Sequence, residues 1–249
     1  MQKQEIIVIG DIHGESCWKE IVERHPGEKF IFLGDYCDPY NQDLFEDDVL
    51  NNLSQIIRFK QEHSDNVILL LGNHDMQYID DTAELCSRYM VRINNEIEEL
   101  FKENKDSFQK IHSEGDLLFT HAGISQNWFN SNFANKNKGD ILEIINAPDN
   151  AGVLHHCSKA RGGLMPYGGI FWADKSEMSP PLNGFIQVVG HTRVPEILLK
   201  RIDDDTAIFF CDCLAMGKYL TIGQEKDSLH FYESQLEDDK MTLLHTLQL

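Results

Sequence analysis

The first third of the chain alternates short apolar runs with stretches of helical periodicity. Continuous apolar residues predict strands at 6–9, 29–33 and 67–71. Apolar positions three and four residues apart predict amphipathic helices at 15–24 and 47–63. Because the strands are apolar throughout and do not alternate, they predict a parallel sheet that is buried on both faces.

The middle of the chain has a less regular pattern. Helical spacing of apolar residues continues from 81 to about 108 and predicts one long helix or two. Residues 110–122 predict a hairpin. The Asn- and Gly-rich region at about 125–184 predicts loops, with short helices around Trp128 and at 141–145.

The C-terminal part carries short, closely spaced strand patterns separated by tight turns. They predict strands at 185–189, 207–210, 218–222 and 229–232, in a second sheet of antiparallel or mixed type. The sequence has no internal repeat and no low-complexity linker. We therefore expect residues 1–249 to form a single α/β domain, in which two sheets lie face to face and helices lie outside them.

Composition and charge narrow the classes of function. The 249 residues are 41% hydrophobic and 25% charged, as in a soluble globular protein. With 22 Lys and Arg against 41 Asp and Glu, the net charge is −19. Such a field repels polyanions, so nucleic acid is not an expected partner. Even two bound divalent ions would cancel only four of these charges, which places most of the acidity on the solvated surface.

The sequence predicts a cytoplasmic protein with reduced thiols and no membrane partner. Its six cysteines include no Cys-X-X-Cys pair. No basic-then-apolar leader precedes the first strand, and no apolar stretch approaches the roughly 20 residues of a membrane span. We interpret His155-His156-Cys157 as structural because it lacks carboxylates and zinc-type spacing. Cys211 and Cys213 are also interpreted as structural, because they share one face of a strand.

Polar residues of one chemical type follow five of the predicted strands. In open α/β sheets the loops at the carboxyl ends of neighbouring strands meet at one edge, so residues distant in sequence can share a site. Each motif alone is an ordinary turn or cap, whereas their recurrence after five apolar runs indicates a metal site. The residues are Asp11, His13, Asp35, Asn73, His74, His121 and His191.

These ligand types suit two divalent metal ions about 3.5 to 4 Å apart. Mixed nitrogen and oxygen ligands favour Mn, Fe or Zn over Ca, which prefers oxygen alone. An aspartate at a strand end can share its two oxygens between the ions. The expected ligands are Asp11 and His13 for the first ion, Asn73, His121 and His191 for the second, and Asp35 between them.

Five segments of the sequence resemble the signatures of the calcineurin-like metallophosphoesterases. Within that superfamily the resemblance is closest to the phosphoprotein (Ser/Thr) phosphatases and the bacterial diadenosine tetraphosphatases. The segment Phe171-Trp172-Ala173-Asp174 resembles their Trp-Ser-Asp element, and Cys211-Asp212 with residues 217–221 resembles the closing hairpin of the tetraphosphatases. The five segments are Gly10-Asp11-Ile12-His13-Gly14, Gly34-Asp35-Tyr36-Cys37-Asp38, Gly72-Asn73-His74-Asp75, His121-Ala122-Gly123-Ile124-Ser125 and Gly190-His191.

The resemblance implies a metallophosphatase double β-sandwich of four αββα layers, with the same six ligands around two metal ions. It implies that His74 is the general acid beside the leaving oxygen and that Asp38 orients it. A hydroxide shared by the two ions would attack phosphorus in line, and His74 would protonate the departing oxygen. Substrate choice is expected from the loops at about 125–184 and from the helical insertion at about 81–108.

One departure from the family pattern concerns the phosphate clamp. Phosphatases of this group carry an arginine directly after the position of Asp38, where this chain has Pro39. Arg161 is the expected counterpart of a second family arginine, and Arg193 is a candidate for the missing charge. Because a guanidinium can hold two phosphoryl oxygens at once, both arginines are predicted to bind substrate.

The leading hypothesis is a metal-dependent phosphoric ester hydrolase. The resemblance favours a phosphomonoesterase of the Ser/Thr phosphatase type, acting on a phosphopeptide, a nucleotide or a phosphorylated small molecule. One alternative is a dinucleoside polyphosphate hydrolase, and another is a non-catalytic metal-binding scaffold. The six ligand positions and the pair of His74 and Asp38 are all intact, which argues against the scaffold.

Overall fold

The computed structural model describes residues 4–238 and 240–248. Residues 1–3, on which the expectation of no leader partly rests, lie outside them. None of the helices in the described residues is both long and apolar enough to cross a membrane. The strands are β1 Ile6–Ile9, β2 Lys29–Phe32, β3 Val67–Leu70, β4 Phe108–Gln109, β5 Ile111–Glu114, β6 Leu117–Thr120, β7 Ile186–Arg193, β8 Leu198–Arg201, β9 Ala207–Asp212, β10 Lys218–Glu225, β11 Ser228–Gln235 and β12 Met241–Gln248. The α-helices are α1 Trp18–Arg24, α2 Glu46–Glu62, α3 Asn73–Met76, α4 Asn94–Glu103, α5 Gln126–Phe133, α6 Ile141–Asn146 and α7 Ala151–Leu154.

Two mixed β-sheets form the framework, as predicted. The first sheet has the strand order β12-β11-β10-β1-β2-β3-β4, and the second has the order β5-β6-β7-β9-β8. Strands β1, β2 and β3 pair in parallel, which confirms the arrangement predicted from their continuous apolar sequences. Strands β10, β11 and β12 extend the first sheet in antiparallel fashion on the other side of β1. The prediction that the strands at 218–222 and 229–232 belong to the second sheet is therefore wrong, because β10 pairs with β1.

Apolar side chains of the two sheets meet in a core between them. Successive residues of a strand point to opposite faces, so Val8 belongs to this inner core whereas Ile7 and Ile9 belong to an outer cluster. Helix α2 contacts β3 and helix α6 contacts β5. The buried apolar residues of both helices join the outer cluster. Helices outside two facing sheets are the α/β architecture that the sequence predicted.

The predicted helix at 81–108 is wrong except for its central part. Only α4 is an α-helix there, residues 81–93 are irregular, and the end of the range is strand β4. Leu85 is 75% exposed, so the apolar residues of 81–93 form no buried helical face. Cys86 is buried instead against Asn73, with Sγ 3.1 Å from the amide nitrogen. Tertiary contacts, and not helical periodicity, therefore determine this segment.

Three strand predictions also need correction. Strands β8 and β12, which the sequence did not predict, lie at sheet edges and are mostly half-buried or exposed. Strand β7 does not end at Val189 but continues through His191 to Arg193, and its register with β9 shifts within that stretch. From Val189 to Arg193, β7 advances four residues while β9 advances two. His191 therefore lies in a bulged, irregular stretch of the strand, and such stretches change the direction of a side chain.

Candidate active site

Residues that follow strands of both sheets line or lie beside one cavity of about 430 Å³. In the first sheet, Asp11 follows β1, Asp35 follows β2 and Asn73 begins α3 after β3. In the second sheet, His121 follows β6 and His191 lies in the bulge of β7. The structure thus brings together the five strand-end positions selected from the sequence.

Two glycines permit this close approach of the strand ends. A Cβ atom at Gly72 would lie 2.1 Å from Oδ1 of Asp35, and a Cβ atom at Gly190 would lie 2.1 Å from Oδ1 of Asp11. Either side chain would displace a carboxylate of the site. The glycines of the Gly-Asn-His and Gly-His motifs are therefore required because the aspartate that follows a neighbouring strand leaves no room for a side chain.

Four polar residues of the site adopt the left-handed backbone conformation that favours glycine. Their φ angles are 43° at His13, 53° at Asp35, 59° at Asp38 and 61° at His191. Such conformations cost on the order of 1–3 kcal/mol each and persist where the surroundings hold them. The N–H of His191, for example, donates to the carboxylate of Asp11 at 3.0 Å.

Asp35 lies at the centre of two sets of ligand-type side chains. Its Oδ2 atom is 3.7 Å from Nε2 of His13 and 3.5 Å from Nε2 of His121. In each set, one ligand atom per residue lies within 4.8 Å of the others. The two sets share Asp35, the placement that a bridging ligand requires. One set contains His13, Asp35 and His74, and the other contains Asp35, His121 and His191.

The second set is arranged to hold a cation. Nδ1 of His121 is 2.8 Å from the carbonyl of Leu33, so this nitrogen carries the proton and Nε2 presents a lone pair. That Nε2 lies 2.8 Å from Oδ1 of Asn73 and 3.2 Å from Nδ1 of His191. Among the described residues, Nε2 of His191 has no hydrogen-bond partner. Because burial lowers the pKa of both histidines, a divalent cation fits these converging lone pairs better than a proton does.

Asp11 belongs to neither set, although the sequence predicts it as a ligand beside His13. It lines the same cavity. Burial, followed by the charges of Asp212 and Asp35, raises the pKa of Asp11 well above its usual range. Burial and Asp35 also raise the pKa of Asp212 to about 6. A divalent cation between these carboxylates would offset their mutual repulsion.

Asp38 is hydrogen-bonded to His74. Oδ2 of Asp38 lies 2.6 Å from Nδ1 of His74, and the carboxylate is fully buried. Tyr78 donates its hydroxyl to Oδ1 of Asp38 at 2.5 Å, and the amide of Gln77 donates to Oδ2. Burial alone would lower the pKa of His74, but the charge of Asp35 and the bonded Asp38 outweigh it and raise that pKa. These contacts therefore favour the protonated form of His74 more than in a free histidine.

Three buried residues of the site received no role from the sequence. Asp75 accepts the backbone N–H of Asp35 at 2.8 Å and so ties the loop after β2 to α3. Cys86 accepts the amide N–H of Asn73, which leaves Oδ1 facing the histidines. Asp212 ends β9 beside Asp11. Asp75 and Asp212 each follow an apolar run closely, a signal that could have found them, whereas Cys86 has no such signal.

The two arginines predicted to bind substrate both line the cavity. Nε of Arg161 lies 2.9 Å from Oδ2 of Asp174, as an ion pair without hydrogen-bond alignment. Nη2 of Arg161 donates to the hydroxyl of Thr192. These contacts hold Arg161 in the wall of the cavity. Arg193 is exposed, and its Cζ lies 4.8 Å from the ring centroid of Tyr40.

The His-His-Cys segment and the paired cysteines lie elsewhere. The ring of His155 stacks on Phe171 with a centroid distance of 5.0 Å. Cys211 and Cys213 are buried in the core between the sheets. Neither metal-capable set found in the described residues includes any of them. Their packing agrees with the structural interpretation.

Divalent metal should stabilise the folded chain, because it offsets the repulsion among buried carboxylates. Mn²⁺ at 100 times its dissociation constant should add about 2.7 kcal/mol, which raises Tm by about 5 to 10 °C for a chain of this size. Thermal unfolding with Mn²⁺, and with Na⁺ at matched ionic strength, measures the effect. A Tm that is unchanged by saturating Mn²⁺, Fe²⁺ or Zn²⁺ would contradict the metal site.

The fold and the site define a metallophosphoesterase, in which two mixed sheets carry histidines and carboxylates at their strand ends. The model of the calcineurin-like phosphoesterase family matches residues 5–210. The chain belongs to this family, and it is therefore a phosphoester hydrolase. The family uses a dinuclear divalent metal centre, for which the residues described above provide suitable side chains.

Solved structures with a similar fold include a protein serine/threonine phosphatase from Saccharomyces cerevisiae with similarity to human phosphatase PP5. The two share 15% identity at a TM-score of 0.54, over 100% of this chain and 81% of that chain. Vacuolar protein sorting 29 from Cryptosporidium parvum matches at 12% identity and a TM-score of 0.44, over 100% of both chains. A metallophosphoesterase from Sphaerobacter thermophilus matches at 14% identity and a TM-score of 0.41, over 99% of this chain and 88% of that chain. At such identities the first likeness concerns the fold alone.

Proposed function

We propose that this phosphoester hydrolase is a phosphomonoesterase, acting on a phosphopeptide, a nucleotide or a phosphorylated small molecule. The observation that carries the proposal is the bonded pair of His74 and Asp38 in the cavity of the two ligand sets. An imidazolium fixed by a buried carboxylate is suited to protonating a leaving oxygen. A scaffold that only bound metal would need the ligands but no oriented acid.

The proposed metal centre uses both ligand sets. Nitrogen donors together with oxygen donors suit Mn, Fe or Zn. Two bound divalent cations supply neutralisation of phosphoryl oxygens and a lowered pKa for the attacking water. The proposed ligands are Asp11, His13 and Asp35 for one ion, and Asp35, Asn73, His121 and His191 for the other.

His74 is proposed as the general acid and Asp38 as the residue that positions it. Since Asp38 engages Nδ1 of His74, the other ring nitrogen is left to deliver the proton. Gln77 and Tyr78 in turn fix both oxygens of Asp38. This network keeps the imidazole in one orientation and keeps Asp38 from rotating away.

Arg161 and Arg193 are proposed to bind the phosphorylated substrate. A guanidinium presents paired N–H donors that match two phosphoryl oxygens. Asp174 and Thr192 hold Arg161 in place before substrate arrives, so little ordering is required on binding. Pro39 stands where the family has an arginine. We propose that Arg161 and Arg193 supply the positive charge for the substrate instead.

Hydrolysis of p-nitrophenyl phosphate with added Mn²⁺ tests the proposal. We expect release of p-nitrophenol that a chelator abolishes and excess Mn²⁺ restores. Bis(p-nitrophenyl) phosphate is the control, and the diester should react more slowly than the monoester. Faster turnover of the diester would make the chain a phosphodiesterase. Absence of turnover of either ester with Mn²⁺, Fe²⁺ and Zn²⁺ would favour the scaffold.

Hydrolysis of a dinucleoside polyphosphate is a second candidate function. It would use the same metals and the same acid, and only the walls of the cavity would differ. The observation in its favour is the exposed guanidinium of Arg193 at the cavity. This group could contact a further phosphate of the dinucleoside polyphosphate. Release of inorganic phosphate from phosphopeptides and nucleotides, compared at equal concentration with release of mononucleotides from dinucleoside polyphosphates, separates the two.

We propose the cytoplasm as the location of the protein. All six cysteines are free, and free thiols suit a reducing compartment. The net charge of −19 opposes binding to a polyanion. The proposed partner is therefore a phosphate ester and not a nucleic acid polymer.

A further inference from the structure

Two arginines near the cavity form no close ion pair within the part of the chain that the structure describes. Among the described residues, Arg88 and Arg193 have no carboxylate oxygen within 4.0 Å, although the sequence contains 41 acidic residues. All other arginines have such a carboxylate. The charge of Arg193 also acts on Asp212, whose pKa it lowers, but neither Arg88 nor Arg193 is held in a close ion pair, so both guanidinium groups can meet an anion from outside. The paired residues are Arg24 with Glu20, Arg58 with Glu62, Arg92 with Glu46, Arg161 with Asp174 and Arg201 with Asp204.

Both unpaired arginines lie over the same aromatic ring. Cζ of Arg88 is 4.6 Å and Cζ of Arg193 is 4.8 Å from the ring centroid of Tyr40. A cation–π contact holds a guanidinium without consuming its N–H donors. The further contact of Arg88 is a long one, from Nη1 to the carbonyl of Pro39 at 3.4 Å. The donors of both arginines are therefore available to a ligand.

Tyr40 places these two charges beside the catalytic groups. Its ring centroid lies 4.7 Å from that of His13 and 6.5 Å from that of His74. Together these distances put both guanidinium carbons within about 9.5 Å of the His13 ring centroid. Arg88 and Arg193 are exposed, unlike the half-buried Arg161. They are therefore placed to meet a group that lies outside the reacting phosphoryl.

We propose that Tyr40, Arg88 and Arg193 form a second-phosphoryl subsite, which binds a phosphoryl group of the substrate other than the one hydrolysed. The inference rests on the proposed function and specifies its substrate class. Two guanidinium groups match the charge of a phosphoryl dianion. A polyphosphate chain could span the distance between the reacting phosphoryl group and the two arginines. An extended peptide phosphorylated at residues i and i+2, which are about 6.8 Å apart, could span it too.

Arg88→Gln tests the subsite without touching the metal ligands or the acid. The kcat/KM of wild type and variant is measured with p-nitrophenyl phosphate, with ATP, and with peptides carrying one or two phosphoserines. We expect the wild type to prefer substrates with a second phosphoryl group, and the variant to lose about tenfold of that preference, as for one charge-assisted hydrogen bond. The ATP and peptide arms identify which source of the second group is preferred.

Arg92→Gln is the matched control, because Arg92 is exposed, lies four residues away and is paired with Glu46. It should leave the preference unchanged. Calorimetric titration of the singly and doubly phosphorylated peptides into Mn²⁺-loaded protein carrying His74→Asn gives a readout without turnover. In this titration, Arg88→Gln should weaken the binding of the doubly phosphorylated peptide about tenfold more than the binding of the singly phosphorylated one.

The outcomes separate the subsite from the proposed function. If p-nitrophenyl phosphate is not hydrolysed but the doubly phosphorylated peptide binds through Arg88, the proposed function is wrong, whereas the binding of a second phosphoryl group by this subsite stands. If p-nitrophenyl phosphate is hydrolysed and Arg88→Gln behaves like Arg92→Gln in both assays, the subsite is wrong. A wild type without preference for a second phosphoryl group also overturns it.

Discussion

Replacing His74 by asparagine should lower kcat by about 10²- to 10⁴-fold, the range that general acid catalysis supplies, while bound Mn²⁺ stays at the wild-type level. Asparagine retains an amide near Asp38 but has no proton to release at neutral pH. The raised pKa of His74 also predicts the direction in which activity changes with pH. Wild-type activity should fall as the pH rises through that pKa, because the acid form disappears, and the variant should lack this alkaline limb. Turnover against pH and metal analysis of the same samples measure both effects.

The matched control for this variant is His63→Asn, since His63 is exposed at the end of α2. It should change kcat by less than roughly twofold, as for most surface substitutions. Asp38→Asn should give a loss that does not add to that of His74→Asn, because the two residues act as a unit. Loss of Mn²⁺ from His74→Asn would instead make His74 a metal ligand, a role that its place in a set with His13 and Asp35 also allows.

Asp35→Asn should abolish measurable hydrolysis, with a loss of at least about 10³-fold, since metal ions supply several kcal/mol of transition-state stabilisation. The substitution removes the one charge that both ligand sets share. Its Oδ2 atom is within 3.7 Å of ring nitrogens from His13 and His121. Metal content should fall, and the rise of Tm with Mn²⁺ should disappear along with the activity.

Asp43→Asn controls for the loss of a negative charge, because Asp43 is exposed in the loop before α2. It should keep full metal content and the full Tm response. Retention of two ions per chain in Asp35→Asn, measured by elemental analysis after gel filtration, would refute the bridging role. A loss of activity with both ions retained would instead give Asp35 a role in orienting His74, because the backbone N–H of His74 donates to Oδ1 of Asp35 at 2.9 Å.

The strand-end positions that hold the proposed metal ligands could be predicted because they follow from local sequence. Strands β1, β2 and β3 are buried on both faces, so each is a continuous apolar run whose end is easy to find. Asp11, Asp35 and Asn73 follow these ends directly, and the parallel pairing brings them to one edge. His191 was found in the same way, although it lies in a bulge and not after a strand end.

The remaining parts of the site depend on contacts that local sequence does not encode. Residues 81–93 have helical spacing, yet Thr82 donates both its N–H and its hydroxyl to the carboxylate of Asp80. Such local bonds compete with a helix, and the segment runs over the cavity instead. Cys86 and Arg88 reach the site only through that path. Sequence periodicity therefore predicts a helix at the place where the structure has a cavity wall.

The left-handed backbone at His13, Asp35, Asp38 and His191 has a consequence for attempts to make this protein more robust. Glycine in such a conformation relieves roughly 1–2 kcal/mol of backbone strain per position, a gain that by itself favours thermal tolerance. Each gain would delete a proposed ligand or the residue that positions the acid. Asp38 also accepts hydrogen bonds from Gln77 and Tyr78, so its removal would leave buried donors without an acceptor. Stabilising substitutions for this enzyme therefore have to be sought elsewhere in the chain.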